Sequence, residues 1–365
     1  MLEIDPLEDL LTSAYSKDAD NIERYFAQYP DCKNWGIVSD YCIDVKDEEN
    51  NVKGNDVFVY AIFPRIKSEA ELCAEVQNEI KKDLKRTKNV KESILNYLKE
   101  NPLFFINAFV VSNRNLFLNI GAKDEKEAHK KMLTTILTSL KPSLSTENYL
   151  KLKKLSEILE PNKPVYKSMM INAIFAAFMT RLIASKTNAE SVKWYSDRDG
   201  MMEYCNGVIR PFYDMNVNYL LYKRSIRQNI KYDIEKYKVT HEKKTHLPYD
   251  PIVRIPDYIA GTLAFYNLDE NLLKTGKRMN IVESVILGHP RMYVSRIMME
   301  KEYIAGGRTN FHPENEVMPE NFTKLHPNRV YAIPAPFNVH EAPITPILKA
   351  MYNAQLKDRS TKTPE

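Results

Sequence analysis

The hydrophobic and polar positions of the first third of the chain predict strands separated by a helix. Residues 35–45 and 57–63 are β-prone and mostly apolar, a pattern typical of buried strands. The stretch between them is charged and contains Asn and Gly, so it predicts a turn that joins the two strands as a hairpin. Ser68 precedes two acids and predicts the N-cap of a helix that runs to about residue 88. A further helix and a third strand at 104–111 follow.

Helical patterns dominate the middle of the chain, beginning with two polar helices predicted at 124–160. Residues 165–185 are strongly apolar, which predicts a helix packed against the sheet. A short strand is predicted at 191–195, and residues 201–237 predict helix with a break near Pro211. The remaining elements before the pattern weakens are a loop at 246–250, an extended segment at 251–254 and a helix that starts at Asp257.

The order of these elements predicts an α/β fold, with a mixed sheet flanked by helices. We divide the chain into an acidic N-terminal helix (1–32), a core (33–270) and a loop-rich, irregular C-terminal extension (271–365). The last segment contains most of the Pro-rich loops and a short predicted helix at 346–356.

Composition indicates a soluble globular protein with a sizeable core. The chain has 365 residues, 44% of them hydrophobic and 27% charged, and its net charge is +4. Its four cysteines show no CxxC spacing and no secretory signal precedes them, so we expect a reduced, cytoplasmic protein. The longest apolar run, at 169–179, is too short to span a bilayer, which predicts no membrane partner.

Two basic stretches, at 81–99 and 223–244, are compatible with a surface that contacts phosphate, although a solvated helix face is the commoner explanation of such stretches. Aromatic and basic residues also alternate within 213–227, where bases can stack on rings while cations hold phosphates. The alternative is an amphipathic helix with extended Lys and Arg side chains. The residues concerned are Tyr213, Tyr219, Tyr222, Lys223, Arg224 and Arg227.

Aspartates on separate predicted elements form the candidate catalytic site. Asp40 lies inside the first strand with Asp44 four residues on, Asp197 and Asp199 follow a strand end, and Asp257 begins a helix among apolar residues. Mg²⁺ and Mn²⁺ select such carboxylate ligands, and two of these ions can cleave a phosphodiester. The simpler alternatives are a charged turn at 197–199, a helix cap at Asp257, and ion pairs for Asp40 and Asp44.

Other catalytic motifs are missing from the sequence. It contains no GxxxxGK[ST], GxGxxG or GxSxG segment, which argues against a P-loop, a dinucleotide site and a serine hydrolase. His289, His312 and His326 each precede a proline but show no HxxxH or HExxH spacing, so zinc is not expected.

In order, these segments resemble a bacterial RNase H-like family of unknown function. Val38-Ser39-Asp40-Tyr41 resembles its first strand, although that family has Asp-Glu-Ser where this chain has Asp40-Tyr41-Cys42. The later matches are the strand ending in Asp197 and the segment Pro256-Asp257-Tyr258-Ile259-Ala260-Gly261. The resemblance covers about residues 33–268 and implies that Asp40, Asp197 and Asp257 bind Mg²⁺ or Mn²⁺ and are catalytic, with Asp44 or Asp199 replacing the missing acid.

Two functions remain open at the level of sequence. The first is a metal-dependent nuclease or nucleic-acid-processing enzyme with nucleic acid as its partner; the resemblance also implies a role in bacterial antiviral defence. The second is a non-catalytic interaction protein with the same fold, acting as a subunit of a larger assembly or homo-oligomer. Its docking surfaces would be the acidic first segment and the C-terminal extension.

Overall fold

The computed structural model describes about three fifths of the chain, mostly within 19–112 and 164–299. The described residues are 7, 8, 10–12, 15, 19–44, 55–112, 114, 146, 147, 149, 150, 153, 154, 164–197, 200–204, 207–223, 226, 230–235, 248–265, 272–274, 276–286, 289–299, 304–309, 311–313 and 322–327. The predicted helices at 124–160 and 346–356 lie wholly or mostly outside them.

Seven strands form one mixed sheet in the order β5-β4-β1-β2-β3-β7-β8. Strands β1, β3, β4, β5 and β7 run parallel to one another, whereas β2 and β8 run the opposite way. Three short strands form a second sheet in the order β6-β10-β9. Their bounds are β1 Asn34–Cys42, β2 Asp56–Pro64, β3 Phe105–Ser112, β4 Ser191–Ser196, β5 Lys231–Ile234, β6 Leu272–Lys274, β7 Met292–Met299, β8 Ile304–Thr309, β9 Phe311–Pro313 and β10 Phe322–Pro327.

Helices cover both faces of the large sheet. They are α1 Ala19–Phe26, α2 Glu69–Glu79, α3 Glu92–Glu100, α4 Pro164–Lys186, α5 Gly200–Glu203, α6 Ile209–Lys223, α7 Asp250–Leu263 and α8 Lys277–Ile281, with a 3-10 turn at Leu84–Arg86 and a π turn at Val282–Ile286. Side chains of α1, α4 and α6 share one hydrophobic core with one face of the sheet, and those of α2, α3 and α7 share a second core with the other face. The α/β fold class is thereby confirmed.

The strongest sequence signals match the structure to within a few residues. Strands β1, β2 and β3 form where the apolar β-prone runs predict them, and β1 pairs with β2 as an antiparallel hairpin. Ser68 caps α2 as expected, because its hydroxyl accepts from the N–H of Glu71 while the carboxylate of Glu71 accepts from the N–H of Ser68.

Three predicted elements are wrong. The extended segment at 251–254 is the first turn of α7, where Pro251 fits because first-turn N–H groups have no helical partner. Residues 231–234 are strand β5 rather than helix; this short edge strand alternates exposed and buried positions too briefly to leave a clear pattern. Strand β7, inside the supposedly loop-rich extension, adds to the large sheet beside β3.

The apolar helix α4 is a core element. Val165–Lys186 is long and apolar enough to cross a membrane, yet 94% of its most apolar window is buried inside the fold, as in a core helix of a soluble protein. Cys73 is buried, and Cys32 and Cys42 are half-buried free thiols. Cys205 lies outside the described residues.

Gly36 on β1 makes room for an aromatic ring. Its cross-strand partner in β2 is Phe63, and a Cβ on Gly36 would lie 2.2 Å from that ring. Any larger residue at this position therefore collides with Phe63 unless the ring moves.

Candidate carboxylate site

The carboxyl ends of β1 and β4 lie side by side at one edge of the sheet. These neighbouring strands are parallel, and Ser39 pairs in register with Ser196. Asp40 and Asp197 directly follow these partners, so they occupy the same level of the two strands. The carboxyl edge of parallel strands is where sheet proteins assemble their sites.

Both aspartates belong to the face that α7 covers. Val38 and Tyr195, two residues earlier on each strand, lie in the core beneath α7. Because side chains alternate along a strand, Asp40 and Asp197 continue the same face. Asp40 is half-buried and Asp197 is exposed, as expected at the end of the sheet where the core opens to solvent.

Asp257 approaches this edge from α7. It lies in the middle of that helix rather than at its start, so the prediction of a helix beginning at Asp257 is wrong. Its Oδ2 accepts a 2.6 Å hydrogen bond from the backbone N–H of Leu84, which belongs to the 3-10 turn between α2 and α3. The carboxylate therefore caps a turn distant in sequence, and not its own helix.

The pKa of Asp257 is raised to about 6, chiefly by burial, and neighbouring groups contribute to this value. The Leu84 hydrogen bond lowers the pKa and the negative charge of Asp83 raises it. Lys85 lowers it in turn, and Asp197 raises it. The last of these effects shows that Asp197 and Asp257 share one electrostatic environment.

Cys42 connects the third carboxylate to the other two. The pKa of its thiol is raised to about 11, chiefly by burial and also by the charges of Asp40, Asp257 and Asp56. Cys42 follows Asp40 by two residues on the same strand face, and its thiol interacts electrostatically with both Asp40 of β1 and Asp257 of α7. We call Asp40, Asp197 and Asp257 the carboxylate cluster.

Asp44 does not join the cluster, because a buried arginine holds it. Its Oδ1 accepts a 2.6 Å bond from Nη2 of Arg114, whose Nε bonds Oδ2 of Asp56 at the same distance. The Arg114 side chain is 1% exposed and also donates to Ser168. Asp44 therefore forms an ion pair, which was the simpler alternative considered for it from the sequence. Asp199, the other acid proposed to replace the missing one, lies outside the described residues.

The carboxylate oxygens of the cluster suit a hard divalent cation, although the three side chains are not arranged around a common coordination site. Within the described part of the chain, no group of three or more His, Cys, Asp or Glu side chains is arranged to hold a metal ion. Carboxylate oxygens are nonetheless the ligands of Mg²⁺ and Mn²⁺. The pKa of Asp257 is raised chiefly by burial and also by the charges of Asp83 and Asp197, and a bound cation would lower it.

Two cations of α8 lie beside the cluster. Lys277 donates to the carbonyl oxygens of Leu84 (2.8 Å) and Thr87 (2.6 Å), and its charge interacts with Asp257. Arg278 interacts with Cys42, donates to the carbonyl of Gly261, and lies 3.6 Å above the ring of Phe265.

The other candidate residues have structural roles or lie outside the described side chains. Tyr213 is buried and shares a hydrogen bond with Thr180, so it is not available to stack on a base. His289 is buried, contacts the carbonyl of Lys99 and accepts from the N–H of Arg291. Burial lowers its pKa. His312 of β9 and His326 of β10 lie opposite each other in the antiparallel pair of these strands.

The sequence did not single out Leu84, Arg114 or Lys277. Leu84 acts through its backbone, which carries no residue signature, while Arg114 and Lys277 reach partners far along the chain. The basic stretch that contains Leu84 was the one available signal. Comparisons with protein-family models, curated proteins and solved structures find no match.

Proposed function

We propose that this protein is a metal-dependent nuclease, or a nucleic-acid-processing enzyme, whose site is the carboxylate cluster. One observation carries the proposal: a half-buried carboxylate on α7, with its pKa raised to about 6, lies in the field of Asp197 at the carboxyl end of β4. Neighbouring carboxylates at this edge of a sheet repel one another, and a bound cation or a proton relieves that repulsion.

The sheet supports the same proposal. Its central strands follow the order β3-β2-β1-β4-β5, with only β2 reversed, which is the arrangement of an RNase H-like core. In this arrangement the first strand, the fourth strand and a late helix bring their acids to one edge. Here those elements are β1, β4 and α7.

Asp40, Asp197 and Asp257 would hold Mg²⁺ or Mn²⁺. When bound, such ions activate water, neutralise phosphate charge and stabilise the leaving oxygen. The protein's own contribution is the placement of these acids. The hydrogen bond from Leu84 orients the Asp257 carboxylate, and the partial burial of this side chain limits its access to water.

The test is cleavage by the purified protein of single- and double-stranded DNA and RNA with Mg²⁺ or Mn²⁺. Asp257→Asn preserves the shape of the side chain and an oxygen that can accept from Leu84, so the variant should fold and lose cleavage by about 100-fold or more. Asp31→Asn, an exposed acid in a turn, is the matched control. Intact substrates with the wild-type protein under all these conditions would refute the enzymatic proposal.

The alternative is a non-catalytic interaction protein with the same fold. Two observations favour it: the cluster is not arranged as a metal cage, and Tyr41 stands where the family pattern has Glu. The acidic first segment is a weaker docking candidate than its charge suggests, because Leu7, Leu10, Tyr25 and Phe26 are buried in the core. Calorimetric titration with Mn²⁺ separates the two functions, since only a working site binds the ion in a manner abolished by Asp257→Asn.

Location and biological role follow from the same proposal. Free thiols at Cys32, Cys42 and Cys73 suit a reducing cytoplasm. Antiviral defence is the setting that the family resemblance implies, and a phage challenge of cells carrying wild-type or Asp257→Asn protein tests it.

A further inference from the structure

The segment that Leu84 belongs to is a dense cationic surface next to the carboxylate cluster. We call residues 81–91, between α2 and α3, the basic loop. It contains one acid, Asp83, against six exposed basic side chains. These are Lys81, Lys82, Lys85, Arg86, Lys88 and Lys91.

Side chains of α7 hold the backbone of this loop. Asp257 accepts from the N–H of Leu84, and Tyr258 donates to the carbonyl of Lys82 (3.1 Å). Arg254 donates to the carbonyl of Ile80, directly before the loop (2.6 Å). Lys277 secures the loop from α8. The cationic side chains thus project from a fixed backbone, which reduces the entropy lost when they bind a ligand.

Gly261 permits the close approach of the loop to α7. A Cβ at that position would lie 3.0 Å from Cδ2 of Leu84, whose side chain is buried. Glycine costs helix stability, so its presence inside α7 reflects this contact. The close neighbour of Gly261 is therefore the 3-10 turn.

We infer that the basic loop binds the phosphate backbone of a nucleic acid and leads it to the carboxylate cluster. The inference deepens the proposed function and rests on it for the choice of ligand. Rows of Lys and Arg bind polyanions by releasing counterions. The only large apolar side chains of the loop, Leu84 and Val90, are buried, so no exposed apolar side chain of the loop can insert into a membrane.

The hydrogen bond between Leu84 and Asp257 places the basic loop beside the carboxylate cluster. One carboxylate both belongs to the cluster and holds the turn from which Lys85 and Arg86 project. A phosphate bound by these cations is therefore close to the acids that would hold the metal ion for cleavage of the nucleic-acid backbone. A basic patch elsewhere on the surface would lack this connection.

The experiment measures fluorescence anisotropy of short fluorescein-labelled single-stranded DNA and RNA, titrated with protein in EDTA. The loop variant is Lys82→Gln/Lys85→Gln/Lys88→Gln. Its matched control is Lys33→Gln/Lys186→Gln/Lys231→Gln, which removes the same charge from exposed lysines at the opposite, amino edge of the sheet. Circular dichroism and thermal melting establish that both variants fold.

We expect the loop variant to bind about tenfold or more weakly than wild type, and the slope of log K against log salt to decrease by about two to three. The control should stay within about twofold of wild type. Equal weakening by both variants would show a net-charge effect and overturn the inference, as would unchanged binding by the loop variant. Binding to phosphatidylserine vesicles without binding to either oligonucleotide would also overturn it.

Failure of this inference is distinguishable from failure of the nuclease proposal. Loop-dependent binding without cleavage in Mn²⁺ supports the basic loop and refutes the enzyme. Cleavage that the loop variant retains in full, with unchanged binding, supports the enzyme and refutes the role of the loop.

Discussion

Asp197 at the end of β4 and Asp257 in the middle of α7 repel one another across the edge of the sheet, and this repulsion contributes to the raised pKa of Asp257. Burial is the larger cause, because it penalises the charged form before any neighbour acts. A group in this position makes the stability of the fold depend on pH.

The first prediction is that the contribution of Asp257 to the free energy of unfolding decreases as pH rises. Its pKa is raised from 3.8 to about 6, so between these values the folded state binds more protons than the unfolded state. The contribution of Asp257 to the free energy of unfolding should therefore fall by roughly 2–3 kcal/mol from about pH 4 to pH 6. Urea unfolding across this range measures it.

Asp257→Asn supplies the reference for that measurement, because the variant cannot titrate. The difference in unfolding free energy between wild type and variant should shift in favour of the variant as pH rises through the window. Asp31→Asn, exposed and distant, should show no such trend. A constant difference between wild type and Asp257→Asn would contradict the raised pKa.

The second prediction concerns Arg114, which joins two carboxylates at the same edge of the sheet. Arg114→Leu leaves Asp56, whose side chain is only 14% exposed, without its cation. We expect a loss of about 2–4 kcal/mol in the free energy of unfolding, moderated because Asp44 is half exposed and regains water. Arg24→Leu, at an exposed position of α1, should change stability by less than about 0.5 kcal/mol. Equal losses in both variants would remove the special role of Arg114.

The third prediction tests the contact between Gly36 and Phe63. Gly36→Ala should destabilise the protein by about 1–3 kcal/mol, since the new methyl group meets the ring. Phe63→Leu makes the space that the methyl group needs, so the double variant should lose less than the sum of the two single losses by about 1 kcal/mol. Chemical unfolding of the four proteins completes the cycle, and strict additivity would exclude the collision.

Much of the sheet follows from local pattern. Strands β1, β2 and β3 are apolar runs buried on both faces, and such runs are hard to place anywhere but in a core. The helix α4 has the same character. In these segments the local sequence and the tertiary structure favour the same conformation.

Other elements depend on distant partners. Strand β5 has one fully buried side chain in four residues and exists because β4 offers an open edge. Helix α7 continues through Pro256 because packing against β1 and the loop offsets the missing hydrogen bond. Neither cause is visible in a local window of sequence.

In the candidate site, too, some features follow from the local sequence and others depend on residues distant in the chain. The sequence marks Asp40, Asp197 and Asp257 as acids in unusual surroundings, but Asp44 resembles them until Arg114, seventy residues later, is seen to pair with it. The role of Leu84 is still less accessible to sequence reasoning, since a backbone N–H looks the same in every residue.

The fourth prediction uses the difference between Asp44, which pairs with Arg114, and the three acids of the carboxylate cluster to test that cluster. If the cluster holds the cation as proposed, Mn²⁺ should raise the melting temperature of the wild-type protein. Asp40→Asn, Asp197→Asn and Asp257→Asn should each abolish that rise, because each removes a ligand charge. Asp44→Asn should keep that rise, although it lowers the starting melting temperature, because its carboxylate serves Arg114. Scanning calorimetry with and without Mn²⁺ gives both quantities for all four variants. Loss of the Mn²⁺ effect in Asp44→Asn together with its retention in Asp257→Asn would place the cation at the Arg114 end of the sheet edge and refute the cluster.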